Sequence, residues 1–392
     1  MSTQQDQKPS QDVLLVLRTP PPHGGGEIIA EELRHHFQGT YDVLLFRRRE
    51  HSKPQQGRLI AANLLFALTY LEKTIGRIIH RRPKVLYIDL PKDALSFTRT
   101  VGILLICFFL GIRVIGDLAG SGFLFLRSNP VSRKCGLFLL RRVHRIRVLS
   151  NSIGEDLARD GLTNTVAIPN GIRDPLQGNG VPDPGAETLH CLYVGKIAVS
   201  KGIWTILRFA ERWSEERRGS IHIHLAGEWE SDDTRRDVTD FLKEKGLEDT
   251  ISNHGLVLEE AKWALFRQCH FLIHPTFWDG QPVTILEAFS FGIPVIATKI
   301  GAIPETVQHG VNGWLMEVNT ADEVDKAVKA IASDTETYRA YRTAARCAYE
   351  NAFTAERFAA RMGALFQSAL HQGDAEASTR ALEERKRVHD LV

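Results

Sequence analysis

The 392-residue sequence has no apolar run long enough to span a bilayer. Its longest strongly apolar stretch, Val101 to Leu110 (VGILLICFFL), falls well short of the ~20 residues required. That run reads as a buried helix or as an interfacial element. The polar start MSTQQDQKPSQD, residues 1–12, has no apolar signal core and reads as a disordered leader without a secretion signal. Five cysteines (Cys107, Cys135, Cys191, Cys269, Cys347) show no C-x-x-C spacing. This argues against disulfides and zinc sites, and buried thiols in the reducing cytoplasm are expected instead. No tandem repeat is present.

What is there is ordinary for a folded protein: 43% hydrophobic and 24% charged residues. At roughly 150 residues per domain the length suggests two or three domains. The small net charge conceals an asymmetry. Residues 1–170 hold 24 Lys+Arg against 14 Asp+Glu, and residues 171–392 hold 25 against 33. Many of the first half's cations cluster, at Arg47 to Arg49, at Arg81, Arg82 and Lys84, and at Arg141, Arg142, Arg145 and Arg147. Such a surface would attract anionic lipid head groups or a phosphate-bearing acceptor, and a merely solvated basic face explains it equally well. Nucleic acid is disfavoured as a partner, because no recognised binding module accompanies the charge.

Short apolar runs alternate with helix-length segments. Strands are expected at 13–17, 41–46, 84–90, 112–118 and 145–150, then, after a polar Gly/Pro stretch, at 189–195, 221–227, 250–255, 271–276, 294–298 and 312–317. The pattern implies an α/β chain of two doubly wound, Rossmann-like domains with a cleft between them. The expected organisation is a leader (1–12), a first domain (13–170), a linker (171–187), a second domain (188–353), and a C-terminal helix returning toward the first domain with a charged tail (354–392).

Ligands of such sheets sit at the carboxyl ends of the strands. Four loops there are chemically distinctive. HGGGE (23–27) offers Gly25 and Gly26 before a helix, where free N–H groups suit an anion and a plain tight turn is an equal explanation. YVGKIAVSKGI (193–203) places Lys196 and Lys201 after Gly195, beside a helix start, a pairing suited to a diphosphate. HLAGEWE (224–230) ends a strand in Gly227. WDGQPVTILEA (278–288) puts Asp279, Gly280 and Gln281 in a loop, Pro282 in the first turn of a helix, and Glu287 on that helix.

The last segment resembles the donor-binding signature of the GT-B retaining glycosyltransferases of family 4: an acid, seven residues, Glu, then small-x-G-x-P-V and a G-G-x-P-E turn. Asp279 to Glu287 has that spacing, SFGIPVIAT follows, and GAIPE stands at the second turn. HGGG, VLSNSIGEDL, IPNGI, VGKIAVSKG and NGWL match further landmarks in order, so the resemblance covers roughly 13–370 and is strongest over 191–318. It implies a GT-B fold and a nucleoside-diphosphate sugar as donor substrate, with no cofactor and no metal; no D-x-D motif is present. Glu287 is then expected on the ribose, Asp279 on the sugar, and Lys196, Lys201 and the amides of Gly280 and Gln281 on the diphosphate. The acceptor would be a glycan or a lipid-linked molecule used in cell-surface polysaccharide or glycoconjugate synthesis, at the cytoplasmic face of a membrane.

Three positions depart from the family pattern. Asp279 replaces the usual Glu, Lys196 replaces the usual Arg, and no His occurs in VIGDLAGSG (114–122), where Asp117 is the nearest polar candidate for the acceptor side. A catalytically silent nucleotide-sugar-binding scaffold and a GT-B nucleotide-sugar epimerase are the alternatives.

Overall fold

Val13 to Leu17 are all fully or almost fully buried, as an unbroken apolar run requires when a parallel strand is covered on both faces. The computed structural model describes residues 10–47, 61–92, 94–123, 126, 130–181, 188–216 and 221–371. They form two units, one of the described residues up to 168 together with 356–371, the other of the described residues from 169 to 355. Among the described residues, no helix is long and apolar enough to cross a membrane.

In the first unit strands and helices alternate: β1 (Ser10–Arg18), α1 (Gly25–Phe37), β2 (Tyr41–Phe46), α2 (Ala61–Arg81), β3 (Val85–Asp89), α3 (Ala94–Phe109), β4 (Arg113–Asp117), α4 (Pro130–Leu140), β5 (Arg145–Val148), α5 (Asn151–Arg159) and β6 (Thr165–Ala167). The sheet is parallel, in the order β2-β1-β3-β4-β5-β6. Ser150 caps α5 by accepting the Ile153 amide at 3.3 Å. A last helix, over 355–371, puts Phe366 against the rings of Phe37, Tyr41 and Tyr87.

The second unit repeats the architecture: β7 (Leu189–Val194), α6 (Ile203–Glu215), β8 (Ile221–Ala226), α7 (Asp232–Lys245), β9 (Ile251–Asn253), α8 (Glu259–Gln268), β10 (Phe271–His274), α9 (Val283–Ser290), β11 (Val295–Thr298), α10 (Ile303–Thr306), β12 (Gly313–Met316), α11 (Ala321–Ile331) and α12 (Thr335–Ala348). Its order is β12-β11-β10-β7-β8-β9. The crossovers reverse direction between β7 and β10, the switch point at which open sheets leave a crevice for ligands.

Alternation makes successive residues of a strand face opposite ways. Cys191, Tyr193, Ile223 and Leu225 therefore join the apolar core beneath α6 and α11. On the opposite face His190, His222 and His224 stand together. His224 links His190 (Nδ1 to Nε2, 2.9 Å) to His254 (Nδ1 to Nε2, 2.9 Å), and the Nδ1 of His270 accepts the His190 amide at 3.1 Å.

Several expectations change. The first strand begins at Ser10, so residues 10–12 of the expected leader pair in the sheet, where Ser10 donates its amide to Thr40 O. The sixth strand of the first unit, only three residues long, carries too little pattern to be read from sequence. Residues 171–181 do not behave as a free linker. Ile172 exchanges backbone hydrogen bonds with Phe353 and Ala355, and Arg346 pairs with Asp174 at 2.6 Å, all within the second unit. The charged tail, 372–392, lies outside the described residues. Of the five thiols, Cys107, Cys191 and Cys269 are buried but Cys135 and Cys347 are exposed, and all five are free. Burial pushes the Cys107 and Cys191 thiols up to about 12.

Candidate functional site

The loop after β7 is shaped by glycine. Gly195 follows the strand, and a Cβ on Gly227 at the end of β8 would lie 1.7 Å from the Gly195 carbonyl oxygen, so these two strand ends approach as only glycine permits. Tyr193 donates its hydroxyl to Lys196 O at 2.6 Å, fixing the turn. The Lys196 side chain is exposed and makes no ion pair with the described residues. A short helical turn over Val199–Lys201 then meets Gly202, which is left-handed (φ 79°) and starts α6.

At Gly202 a Cβ would sit 1.9 Å from Pro275 O, in the loop after β10. The substitution Gly202→Ala adds a left-handed strain of about 1–2 kcal/mol to that clash. It should therefore lower stability by more than about 2 kcal/mol and displace Lys201. Urea unfolding followed by Trp fluorescence checks this, since all six tryptophans lie between residues 204 and 314. An unchanged midpoint would show that the two loops part without cost.

The contact at Gly202 brings Lys201 onto the loop after β10. Its Nζ donates to Asp279 Oδ2 at 2.6 Å and to Trp278 O at 2.9 Å. Asp279 Oδ1 accepts the Gly280 amide at 2.9 Å, and the buried His274, last residue of β10, places Nε2 3.5 Å from Asp279 Oδ2. Burial alone would push the Asp279 carboxyl up. The His274 and Lys201 nitrogens outweigh it and hold the group well below the usual carboxylate range. Asp279 is therefore ionised at neutral pH.

Two expected roles change here, and the side chain of a third residue, apart from the backbone amide expected on the diphosphate, is a structural tie. Pro282 is the N-cap of α9 (φ −62°, ψ 124°), with the helix proper starting at Val283. The Gly280 amide is occupied by the Asp279 side chain instead of standing open to an anion. Gln281 is buried as a structural tie: its Oε1 accepts the Asn170 amide at 2.6 Å, and its Nε2 donates to Thr306 Oγ1 on α10 at 2.9 Å.

Glu287 lies about one and a half turns into α9 and is only 3% exposed. Its Oε1 accepts from Lys262 of α8 at 2.6 Å, while Oε2 has no hydrogen-bond partner among the described residues. Lys262 also lies 4.3 Å from the Trp263 ring centroid. Sequence reasoning missed Lys262, because α8 carries no motif and its nearness to α9 depends on the sheet order. His274 was missed too, although HPT directly precedes the loop.

In the first unit Gly25 and Gly26 are the opening residues of α1, with Gly24 as N-cap, so they belong to the helix and not to the preceding loop. Asp117 ends β4 and is buried. Arg147 donates to its Oδ1 at 3.0 Å and Tyr87 to its Oδ2 at 2.7 Å. Both oxygens are thus engaged within the sheet, which gives Asp117 a structural setting in place of the expected acceptor-side role. Among the described residues, no group of three or more His, Cys, Asp or Glu side chains is arranged to hold a metal ion.

Residues 185–347 match the family model of glycosyl transferases group 1. Among curated proteins the chain is similar to a D-inositol 3-phosphate glycosyltransferase of Pseudarthrobacter chlorophenolicus, at 26% identity over 46% of this chain and 42% of the relative. It is also similar to O-antigen chain mannosyltransferase B of Escherichia coli, at 28% identity over 43% and 42%. The match thus spans about two fifths of the length of these relatives. Among solved structures, the sucrose-phosphate synthase of Thermosynechococcus elongatus (18% identity, TM-score 0.74) covers 93% of this chain and 100% of its own. Anabaena HepE in complex with UDP (16%, TM-score 0.68) covers 91% and 99%. At these identities the likeness establishes the fold. Residues 185–347 thus match the glycosyl transferases group 1 family, within a chain whose two parallel sheets form the GT-B fold.

Proposed function

We propose that the chain is a retaining glycosyltransferase of the family 4 type. It would move a sugar from a nucleoside-diphosphate sugar to a glycan or lipid-linked acceptor in cell-surface polysaccharide or glycoconjugate synthesis, without a resident metal or cofactor. The observation that carries the reading is the unpartnered, buried Oε2 of Glu287 on the helix beside the β7/β10 switch point. A buried carboxylate oxygen without a donor is costly, and a ribose diol supplies two hydroxyl donors.

In the transfer, the bond from the sugar's anomeric carbon to the diphosphate oxygen breaks and a bond to the acceptor oxygen forms on the same face. The acceptor proton passes to the departing phosphate. Charge accumulates on the diphosphate as it leaves, and a cation fixed beforehand stabilises it without reorganisation. Lys196 has no ion-pair partner among the described residues and is suited to that work. Lys201 and Asp279 form a pair of no net charge, so Lys201 acts mainly by holding Asp279 toward the sugar. The shorter acid fits this arrangement, since Asp279 receives Lys201, His274 and the Gly280 amide at once. HepE was solved with UDP, which supports a uridine nucleotide as the first to test.

A thermal-shift panel of nucleoside diphosphates tests the reading. One of them, at 100 times its dissociation constant, should add about 2.7 kcal/mol of stability. Glu287→Gln should largely abolish that gain. If no nucleoside diphosphate stabilises the folded chain, the proposal fails.

A further inference from the structure

In a parallel α/β unit each helix carries the chain back from the carboxyl ends of the strands to their amino ends. The connections from α2 to β3, α3 to β4 and α4 to β5 therefore share the amino edge of the first unit's sheet, opposite the strand ends where ligand loops lie. Their sequences, IHRRPK (79–84), LICFFLGIR (105–113) and FLLRRVHR (138–145), hold seven Lys/Arg and no Asp or Glu. The acids that adjoin them are already paired, Asp12 with Lys84 at 3.9 Å and Asp160 with Arg133 at 3.0 Å.

The same edge exposes large apolar side chains. Phe109 is 89% exposed, and Ile79, Leu105, Leu110 and Phe138 are also exposed. Ile79 meets Leu105, Ile106, Phe109 and Leu110 around an apolar cavity of about 380 Å³, so the ends of α2 and α3 form one surface. The run 101–110 is buried only along the flank of Ile103, Leu104 and Cys107. Leu105, Phe109 and Leu110 on its other flank stay exposed.

We propose that this edge docks on an anionic lipid bilayer, with Phe109 and Leu110 entering the head-group boundary and the surrounding arginines meeting lipid phosphates. Apolar tips ringed by cations suit a surface that is apolar within and anionic at its rim. A second copy of the chain fits poorly, because a two-fold contact sets this face against itself and brings like charges together. Nucleic acid would satisfy the cations but leave Phe109 and its neighbours unused. The docking does not rest on the transfer reading.

Co-sedimentation of the full chain with vesicles, with no substrate present, separates the two. Binding to phosphatidylcholine vesicles containing phosphatidylglycerol is expected, weakened roughly tenfold or more when phosphatidylglycerol is omitted or salt is high. Phe109→Asp and, separately, Arg141→Glu with Arg142→Glu should each reduce binding at least about fivefold. These residues are exposed, and circular dichroism confirms that the variants are folded. Equal recovery in the supernatant with and without phosphatidylglycerol overturns the proposal. So does binding that both variants leave intact, or vesicle-free dimerisation that Phe109→Asp abolishes. Donor-induced thermal stabilisation should be the same in all variants, so a failure of docking and a failure of the transfer reading remain distinguishable.

Discussion

Asp279→Ala should lower kcat roughly ten- to hundredfold and change the donor KM little, whereas Glu287→Ala should chiefly raise that KM. The first follows from the pairing with Lys201. A charge-assisted hydrogen bond is worth about 1.5–3 kcal/mol, and each 1.36 kcal/mol on the barrier is about tenfold in rate. Under the proposed reading, losing Asp279 would misplace the sugar at its reacting carbon, a contact that would matter most in the transition state. Glu287 would bind ribose equally before and during reaction, so its loss weakens binding alone. The structure adds a second consequence. Lys262, 12% exposed at its side chain, loses its counter-charge in Glu287→Ala, and breaking a buried pair costs about 3–5 kcal/mol. The double variant Lys262→Met with Glu287→Leu should recover most of that stability and still fail to bind donor. Steady-state kinetics with urea unfolding distinguish the effects. Wild-type KM in the double variant would remove Glu287 from the donor site.

The second unit should lose stability as pH falls below about 6.5. Burial, reinforced by His222, His254 and His190, lowers His224 from 6.5 to about 3. Burial, with neighbouring histidines, lowers His190 and His254 in the same direction. In the unfolded chain these rings take up protons near 6.5, and in the folded chain they do not. The unfolded state therefore binds more protons between the two values, so stability is full above 6.5 and declines through the acid range toward pH 3. At pH 5, 1.5 units below 6.5, His224 alone accounts for about 2 kcal/mol. The partners named in these shifts are themselves histidines, so no carboxylate offsets the incoming charge. Urea unfolding by Trp fluorescence at pH 7.5 and pH 5 reports this unit specifically. His224→Gln should flatten the difference by about that amount, and an identical pH dependence in the variant would refute the account.

Alternation of apolar strands with amphipathic helices was legible because periodicity is a local property. It indicated a doubly wound α/β chain, and all six expected strands of the second unit are present within a residue or two of their expected ends. The run WDGQPVTILEA announced its loop, its proline-led helix and its two acids for the same reason: glycine, proline and the eight-residue spacing act through neighbouring backbone. The three-residue β6 escaped because so short a segment has no period. The linker was misread because polarity and Gly/Pro content do not show that Ile172 pairs with Phe353, far along the chain.

What only the tertiary structure decided was which side chains meet. Lys201 lies 78 residues from Asp279, Lys262 lies 25 from Glu287, and His190 lies 34 from His224. Each pair is set by strands or helices brought together by the order β10-β7-β8, which no local pattern encodes. The same holds for Asp117, whose sequence context offered a lone polar group and whose fold supplies Arg147 and Tyr87. Propensity and pattern act between residues a few positions apart, and so they determined the elements and the chemical type of the loops. Burial, ion pairing and proton affinity depend on the whole surrounding shell, and so they were decided by the packing of the sheets.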